Sequence, residues 1–113
     1  MPTDNFKMLA QVQPGTSATT IYGAVPASHE TIVKSINIVN NDTEALTITL
    51  FHADGATTAT EATTILPEAT IPAGGWALFE GTITMEAGDY LRGTAEQASE
   101  ITVTVYGDEI DIR

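Results

Sequence analysis

The chain has 113 residues and a mass of 11.9 kDa, which corresponds to one domain of ordinary size. Fifteen acidic and four basic residues give a formal net charge of −11, and so acidic a surface excludes a groove that neutralises nucleic-acid phosphates. The absence of cysteine excludes disulfides, thiolate zinc sites and cysteine nucleophiles. The composition therefore predicts a single domain and contains no catalytic signature.

The first residues, Met1 to Asn5, contain an acid and no basic segment, and no long apolar run follows them. A secretory signal needs a basic start and an apolar stretch, and a membrane span needs a longer one. We therefore expect a soluble protein that is made in the cytoplasm and does not associate with a membrane. Residues 1–5 are expected to be a flexible segment, because little in them can pack.

Short runs rich in Thr, Val and Ile alternate with small polar residues and are separated by Gly, Pro, Asn and Asp, which is typical of half-buried strands. The first half of the chain contains four such runs, at residues 6–12, 19–24, 31–40 and 45–52. In the third of these runs, Ile32, Ile36 and Ile38 are predicted to share one face, with Val33 and Val39 on the other.

Residues 40–43 read Asn-Asn-Asp-Thr, a sequence that favours tight turns. They predict a hairpin connection into the fourth run, in which Leu46, Ile48 and Leu50 are predicted to face inward.

The second half of the chain begins with residues 54–64, which have no large apolar side chain and are interpreted as a loop or a contact element. Pro67 and Pro72 interrupt the next apolar pieces, and proline confines such pieces to a sheet edge or corner. The remaining predicted strands lie at residues 65–66, 69–71, 76–80, 82–85, 90–95 and 100–106. In the last of them, Ile101, Val103 and Val105 are predicted to share one face.

About eight short strands at spacings of roughly 8 to 12 residues are typical of an antiparallel sandwich. The predicted fold class is therefore all-β, a single antiparallel β-sandwich of jelly-roll or immunoglobulin-like type that spans residues 1–113. Residues 108–113 are expected to form an extended C-terminal tail. No internal repeat is visible in the sequence.

Candidate metal-binding residues are few. His29 and His52 are far apart in the sequence and lack a metal-site spacing, so we interpret them as surface residues at strand ends. Asp108, Glu109 and Asp111 supply oxygen ligands of the kind that Ca²⁺ prefers, although their spacing is not that of a calcium loop. A solvated acidic end is the alternative interpretation, and no catalytic residue and no cofactor are predicted.

Trp76 and Tyr90 are candidate stacking surfaces for a sugar, since a flat ring can pack against the apolar face of a pyranose. The competing interpretation is that these rings fill the core or pair across strands, which is the usual role of aromatic residues spread one to a strand.

Three segments, residues 27–36, 70–75 and 85–93, contain Ala-Ser-His-Glu-Thr-Ile-Val, Thr-Ile-Pro-Ala-Gly-Gly and Met-Glu-Ala-Gly-Asp-Tyr-Leu. In this order they resemble small β-sandwich structural proteins of tailed bacteriophage virions, among them capsid decoration (cement) proteins and tail accessory proteins. The resemblance covers residues 25–106. It implies a non-enzymatic protein located on the capsid surface of the virion, where it binds and stabilises the head shell.

The resemblance also implies partners: the major capsid protein, other virion proteins, and further copies of this chain in a homotrimer or, alternatively, a dimer. A tail or fibre module that binds a host carbohydrate or receptor is the alternative function, with Trp76 or Tyr90 as the stacking residue. The residues expected at the partner interface are Phe6, Lys7, Met8, Leu9, Ile110 and Ile112.

Overall fold

A computed structural model describes residues 6–54 and 63–112 of the chain. In these ranges it contains eight strands and no α-helix, so it has no helix that could cross a membrane. The strands are β1 (Phe6–Val12), β2 (Thr19–Tyr22), β3 (His29–Asn40), β4 (Leu46–Ala53), β5 (Thr64–Ile71), β6 (Trp76–Met85), β7 (Tyr90–Ala95) and β8 (Ile101–Asp111).

The strands form two four-stranded antiparallel sheets. The first sheet has the order β1-β8-β3-β6 and the second the order β2-β7-β4-β5. Only β4 and β5 are consecutive in the chain and adjacent in a sheet, because every other connection passes from one sheet to the other. An immunoglobulin-like sandwich places its first two strands in one sheet, whereas β1 and β2 lie in different sheets. The predicted β-sandwich is confirmed, and its strand order is that of a jelly roll.

The core lies between the sheets and is built by strand alternation. The inward side chains of β4 and β8 are those expected from the sequence, and each is at most 1% exposed. Burying each such side chain stabilises the fold by about 1.5 to 3 kcal/mol before the entropy of ordering is subtracted. The largest fully buried side chains are Val33, Ile36, Ile38, Leu46, Ile48, Leu50, Ile71, Met85, Leu91, Ile101, Val103 and Val105.

A β-bulge in β3 changes which residues of that strand face the core. The register of β3 against both β6 and β8 shifts between Val33 and Ser35; exposed Lys34 is the extra residue relative to β8, whereas relative to β6 the extra residue lies on β6, at Gly81 or Thr82. An extra residue reverses the alternation on one side of a bulge. Val33 therefore shares the inner face with Ile36, and Ile32 lies half-buried on the outer face. The predicted placement of Ile32 and Val33 was wrong for this reason.

The connection after β3 crosses to the other sheet, so the predicted hairpin at residues 40–43 was wrong. Asn40 is fully buried, and its Nδ2 donates to the carbonyl oxygens of Glu44 at 2.9 Å, Ile71 at 3.0 Å and Pro72 at 3.2 Å. Its Oδ1 accepts a hydrogen bond from the amide of Asp42 at 2.9 Å. One side-chain amide thus ties the end of β3 to the start of β4 and the end of β5, and this holds the corner.

The largest differences between the predicted and the observed strands concern β5, β6 and β8. β5 is continuous through Pro67, which an edge strand with a shifted register tolerates because it needs no amide there. β6 joins the two pieces predicted at 76–80 and 82–85. The expected C-terminal tail, 108–113, lies in β8 as far as Asp111 and pairs with residues 29–32. The flexible segment predicted at 1–5 and most of the excursion predicted at 54–64 lie outside the described residues.

Candidate interaction surface

The outer face of the first sheet exposes large apolar side chains along its edge strand β6. Ala77 and Phe79 of this strand pack against the core, so Trp76 and Leu78 point away from it. Trp76 is 67% exposed and Leu78 is 46% exposed. A tryptophan and a leucine side by side on an edge strand form an apolar surface that nothing in the described chain covers.

The sheet register extends this surface across the first sheet in two neighbouring rows. Trp76 pairs with Val39, and Leu78 pairs with Asn37. Neither row contains a charged residue, although the chain has a net charge of −11. We call this surface the uncharged band, and it consists of Gln11, Asn37, Val39, Trp76, Leu78, Thr102 and Thr104.

The polar side chains of the uncharged band are largely hydrogen-bonded to one another or to neighbouring residues. Gln11 Nε2 donates to Thr104 Oγ1 at 3.0 Å, and Gln13 Nε2 donates to Thr102 Oγ1 at 3.3 Å and to the carbonyl oxygen of Ser99 at 3.3 Å. Burying a polar group that already has a partner costs little, whereas burying an unpaired one costs about 1 to 3 kcal/mol. The band can therefore be covered by a partner at a small desolvation cost.

The next row of the outer face marks where the uncharged surface ends. It contains Met8, Tyr106, Ser35 and Glu80, in that order from β1 to β6. Met8 is 52% exposed and adds apolar area at the β1 edge, roughly 15 Å from β6 at the usual strand spacing. Glu80 supplies the first charge on the β6 side.

The residues expected at the partner interface lie on β1 and at the end of β8, which are paired neighbours in the first sheet. Lys7 and Met8 are exposed, and Ile112 is 52% exposed. Leu9 packs against the core and Ile110 is half-buried. Phe6 begins β1. A role for this group in a partner interface stays a prediction; Met8 is the member that lies in the outer-face row next to the uncharged band.

Trp76 and Tyr90 lie on different sheets, so they cannot form one stacking platform. Tyr90 begins β7 in the second sheet, and the Arg92 guanidinium lies over the Tyr90 ring, 4.6 Å from the ring centroid. Sugar binding by either ring alone stays a prediction.

The three C-terminal carboxylates do not point to one place. Strand alternation turns Asp108 to the outer face of the first sheet and Glu109 inward, where its Oε2 accepts a 2.5 Å hydrogen bond from the Tyr22 hydroxyl. That hydroxyl also lies 2.8 Å from Thr31 Oγ1. Burial, together with the hydrogen bond to Glu109, raises the pKa of Tyr22 to about 12. Glu109 therefore belongs to an internal network between the sheets.

The two histidines make separate local contacts. His52 Nε2 lies 2.9 Å from Asp89 Oδ2, which also accepts from the amide of Glu86 and so closes the turn between β6 and β7. His29 Nδ1 lies 2.9 Å from the carbonyl oxygen of Ala27. Across residues 6–54 and 63–112, no three His, Asp or Glu side chains are grouped so that they could hold a metal ion.

Two features of the outer faces were missed from the sequence, namely Leu78 in the uncharged band and Arg92 beside Tyr90. The alternation of Trp76 and Leu78 against Ala77 and Phe79 was the available signal for the first. It shows that β6 has two apolar faces, but it does not tell which face meets the core.

The strand order defines the chain as an all-β jelly-roll protein. No protein-family model matches the sequence, and no curated protein matches it. A chain from the disulfide-linked pili of Bacillus endospore appendages superposes with a TM-score of 0.55 at 13% identity, over 99% of this chain and 89% of that chain. A chain of infectious bursal disease virus, Gx strain, gives 0.52 at 14% identity, over 96% of this chain and 32% of that chain.

The Tobacco streak virus coat protein gives a TM-score of 0.47 at 8% identity, over 97% of this chain and 85% of that chain. At identities of 13% and 14%, the likeness to the pilus chain and to the bursal disease virus chain shows a shared fold.

Proposed function

We propose that this chain is a non-enzymatic structural protein of a tailed-phage virion, a decoration protein that binds and stabilises the head shell through the uncharged band. The observation that carries the proposal is the exposure of Trp76 and Leu78 on an uncharged surface of a strongly acidic protein. The centres of protein interfaces are depleted in charged residues and enriched in aromatic residues and Met. Soluble monomers rarely leave a large apolar patch uncovered.

The jelly roll suits a protein that acts by being bound. Each sheet is hydrogen-bonded from strand to strand across its four strands, so the outer face of the first sheet is a rigid surface that loses little entropy on docking. A ligand that binds only the assembled shell stabilises that shell by mass action. The fold is shared with a virus chain and with a pilus chain, which supports a role in assembly. The pili are disulfide-linked, whereas this chain has no cysteine and would assemble without that cross-link.

The proposal includes a homotrimer that contacts the major capsid protein, with a dimer as the alternative. A domain of this size buries only about two-thirds of the surface of its unfolded chain, so association would supply additional buried area. Light scattering on the purified protein measures the oligomeric state directly. A monomer at the concentrations found in the virion would remove this part of the proposal and leave head binding to be tested separately.

The central experiment is cosedimentation of the protein with phage heads that lack it, followed by heating of the decorated heads. The unaltered protein should pellet with heads and raise their resistance to heat. The double variant W76S/L78S should bind at least about 30-fold more weakly, since an exposed aromatic at an interface centre contributes about 2 kcal/mol or more. Its melting temperature should be nearly unchanged, because both side chains are exposed.

Thr84→Ala is the matched control, since Thr84 is exposed on the same strand but outside the uncharged band. Equal head binding by W76S/L78S and T84A would contradict the assignment of the band. If the unaltered protein failed to bind heads, the proposed decoration role would be wrong, and the tail or fibre alternative would be tested next.

A further inference from the structure

Arg92 occupies an unusual place on the outer face of the second sheet, opposite the uncharged band. It lies on β7, an inner strand of that sheet, and it is one of only four basic residues in the sequence. Its guanidinium rests over the Tyr90 ring at 4.6 Å. Its Nε is buried and has no hydrogen-bond partner. Within the described part of the chain no carboxylate pairs with it, although acids outnumber bases by fifteen to four.

A buried donor without an acceptor is uncommon, because protein folds normally satisfy such groups. Here the guanidinium is half-buried, held by an aromatic ring and placed on a strand that is paired on both sides. The guanidinium fork matches the two oxygens of a carboxylate. Within residues 6–54 and 63–112 no carboxylate is supplied to this arginine, so its half-buried side chain is arranged to receive one from a ligand.

The residues around Arg92 indicate the rest of the ligand. Phe51 pairs with Arg92 across β4, and Thr20 pairs with it across β2. Thr94 and Thr49 form the adjacent pair on the same face. The Phe51 ring is buried, so the site combines one cation, the half-buried Tyr90 ring and several neutral hydroxyls, which can contact the carboxylate, the ring face and the hydroxyl groups of a sugar acid.

The charge of the molecule restricts the ligand further. A net charge of −11 repels a polyanion such as a nucleic acid or a strongly acidic peptide, whereas a ligand with one carboxylate meets one local cation at small long-range cost. We propose that Arg92 and Tyr90, with the hydroxyls of Thr20 and Thr94, form a binding site for a saccharide unit that bears a single carboxylate, such as a uronic acid.

The proposal is independent of head binding, since the two surfaces lie on opposite faces of the sandwich. A protein docked through the first sheet would leave the outer face of the second sheet open to a saccharide.

The test uses the whole protein and nuclear magnetic resonance, with methyl glucuronide as the probe and methyl glucoside as its uncharged counterpart. The glucuronide should shift the Arg92 Nε–H resonance and those of Thr20 and Thr94, whereas the glucoside should bind at least about tenfold more weakly, since it lacks the charge-assisted contact. Rising salt should weaken glucuronide binding.

Arg92→Gln should weaken glucuronide binding at least about tenfold. Lys34→Gln, which removes the same charge from the bulge of the first sheet, should not change it. Arg92→Lys keeps the charge but loses the fork, and it should recover only part of the affinity. If R92Q proves unstable, the glucuronide affinity of R92K and the shift of the Arg92 Nε–H resonance in the unaltered protein test the proposal instead.

Equal binding of glucoside and glucuronide, or the absence of any shift at Arg92, would overturn the proposal. Acetate that binds as tightly as the glucuronide would overturn the assignment to a saccharide, because the site would then recognise only a carboxylate. Cosedimentation of R92Q with heads separates this proposal from the function proposed above, since R92Q should pellet as the unaltered protein does.

Discussion

The buried amide of Asn40 provides the sharpest test of how the corner between the two sheets is held. Asn40→Asp keeps the size and shape of the side chain but removes both N–H donors. The replaced group would then face the carbonyl oxygens of Glu44, Ile71 and Pro72, which now accept hydrogen bonds from Nδ2. Asn40 is 0% exposed, so water cannot substitute for the lost donors unless the corner opens.

The cost should depend on pH. When the new carboxyl is protonated it keeps one O–H donor, and the loss of the other should lower the free energy of unfolding by about 1 to 2 kcal/mol. When it is ionised, a buried charge faces carbonyl oxygens without a counter-charge, and the cost should rise to about 3 to 5 kcal/mol. Burial raises the pKa of this carboxyl in the folded state above its unfolded value of about 3.9. Stability is therefore retained below about pH 3.9 and lost as the pH rises from there through the raised folded-state pKa.

Urea unfolding followed by circular dichroism at pH 4 and pH 7 measures both values. Asn41→Asp is the matched control, because it adds the same charge at the next residue, whose side chain is exposed. The N40D deficit, measured against N41D, should grow by about 1 to 4 kcal/mol between the two pH values. A deficit that is the same at both, or one below about 1 kcal/mol at pH 7, would refute the assignment of the corner to this amide.

Two further predictions concern β8 and its neighbours. In Gly107→Ala the new methyl would overlap the carbonyl oxygen of Ile32 and lie 2.9 Å from the Val33 Cα, so the variant should lose about 3 kcal/mol of stability and roughly 10 °C in melting temperature. The control Gly15→Ala, whose methyl meets only Thr19 Oγ1 at 3.6 Å, should change little, and equal melting temperatures of the two variants would contradict this prediction. Tyr22→Phe should remove a tyrosine titration near pH 12 from the ultraviolet absorbance. Because the folded-state pKa of Tyr22 is raised from 10.0 to about 12, the unaltered protein should lose stability as the pH rises between these values, and the Y22F variant should lose less. An unchanged absorbance titration in Y22F would show that another group is responsible.

Much of the fold follows from local sequence patterns. Period-two alternation predicted the inward faces of β4 and β8, where Leu50 and Val103 are fully buried, and the turn residues separated the strands. These features depend on residues that are neighbours in the chain, because the pleat of a strand sends successive side chains to opposite faces.

The errors arose where contacts distant in sequence decide the local conformation. The bulge after Val33 appears only in the register of β3 against β6 and β8. The crossing after Asn40 depends on carbonyl oxygens of Ile71 and Pro72, about thirty residues further along the chain. A single sequence contains no direct record of such pairings, so the turn chemistry of residues 40–43 was compatible with either a hairpin or a crossing.

The candidate surfaces show the same division. The sequence by itself determined that this is an acidic, cysteine-free all-β chain with solitary aromatic residues on several strands. Only the tertiary structure decided that Trp76 faces outward beside Val39, that it lies on the sheet opposite Tyr90, and that Arg92 rests on Tyr90 with no carboxylate partner among the described residues. The physical reason is that alternation divides a strand into two faces, whereas sheet order and register determine which face is buried and which side chains lie beside it.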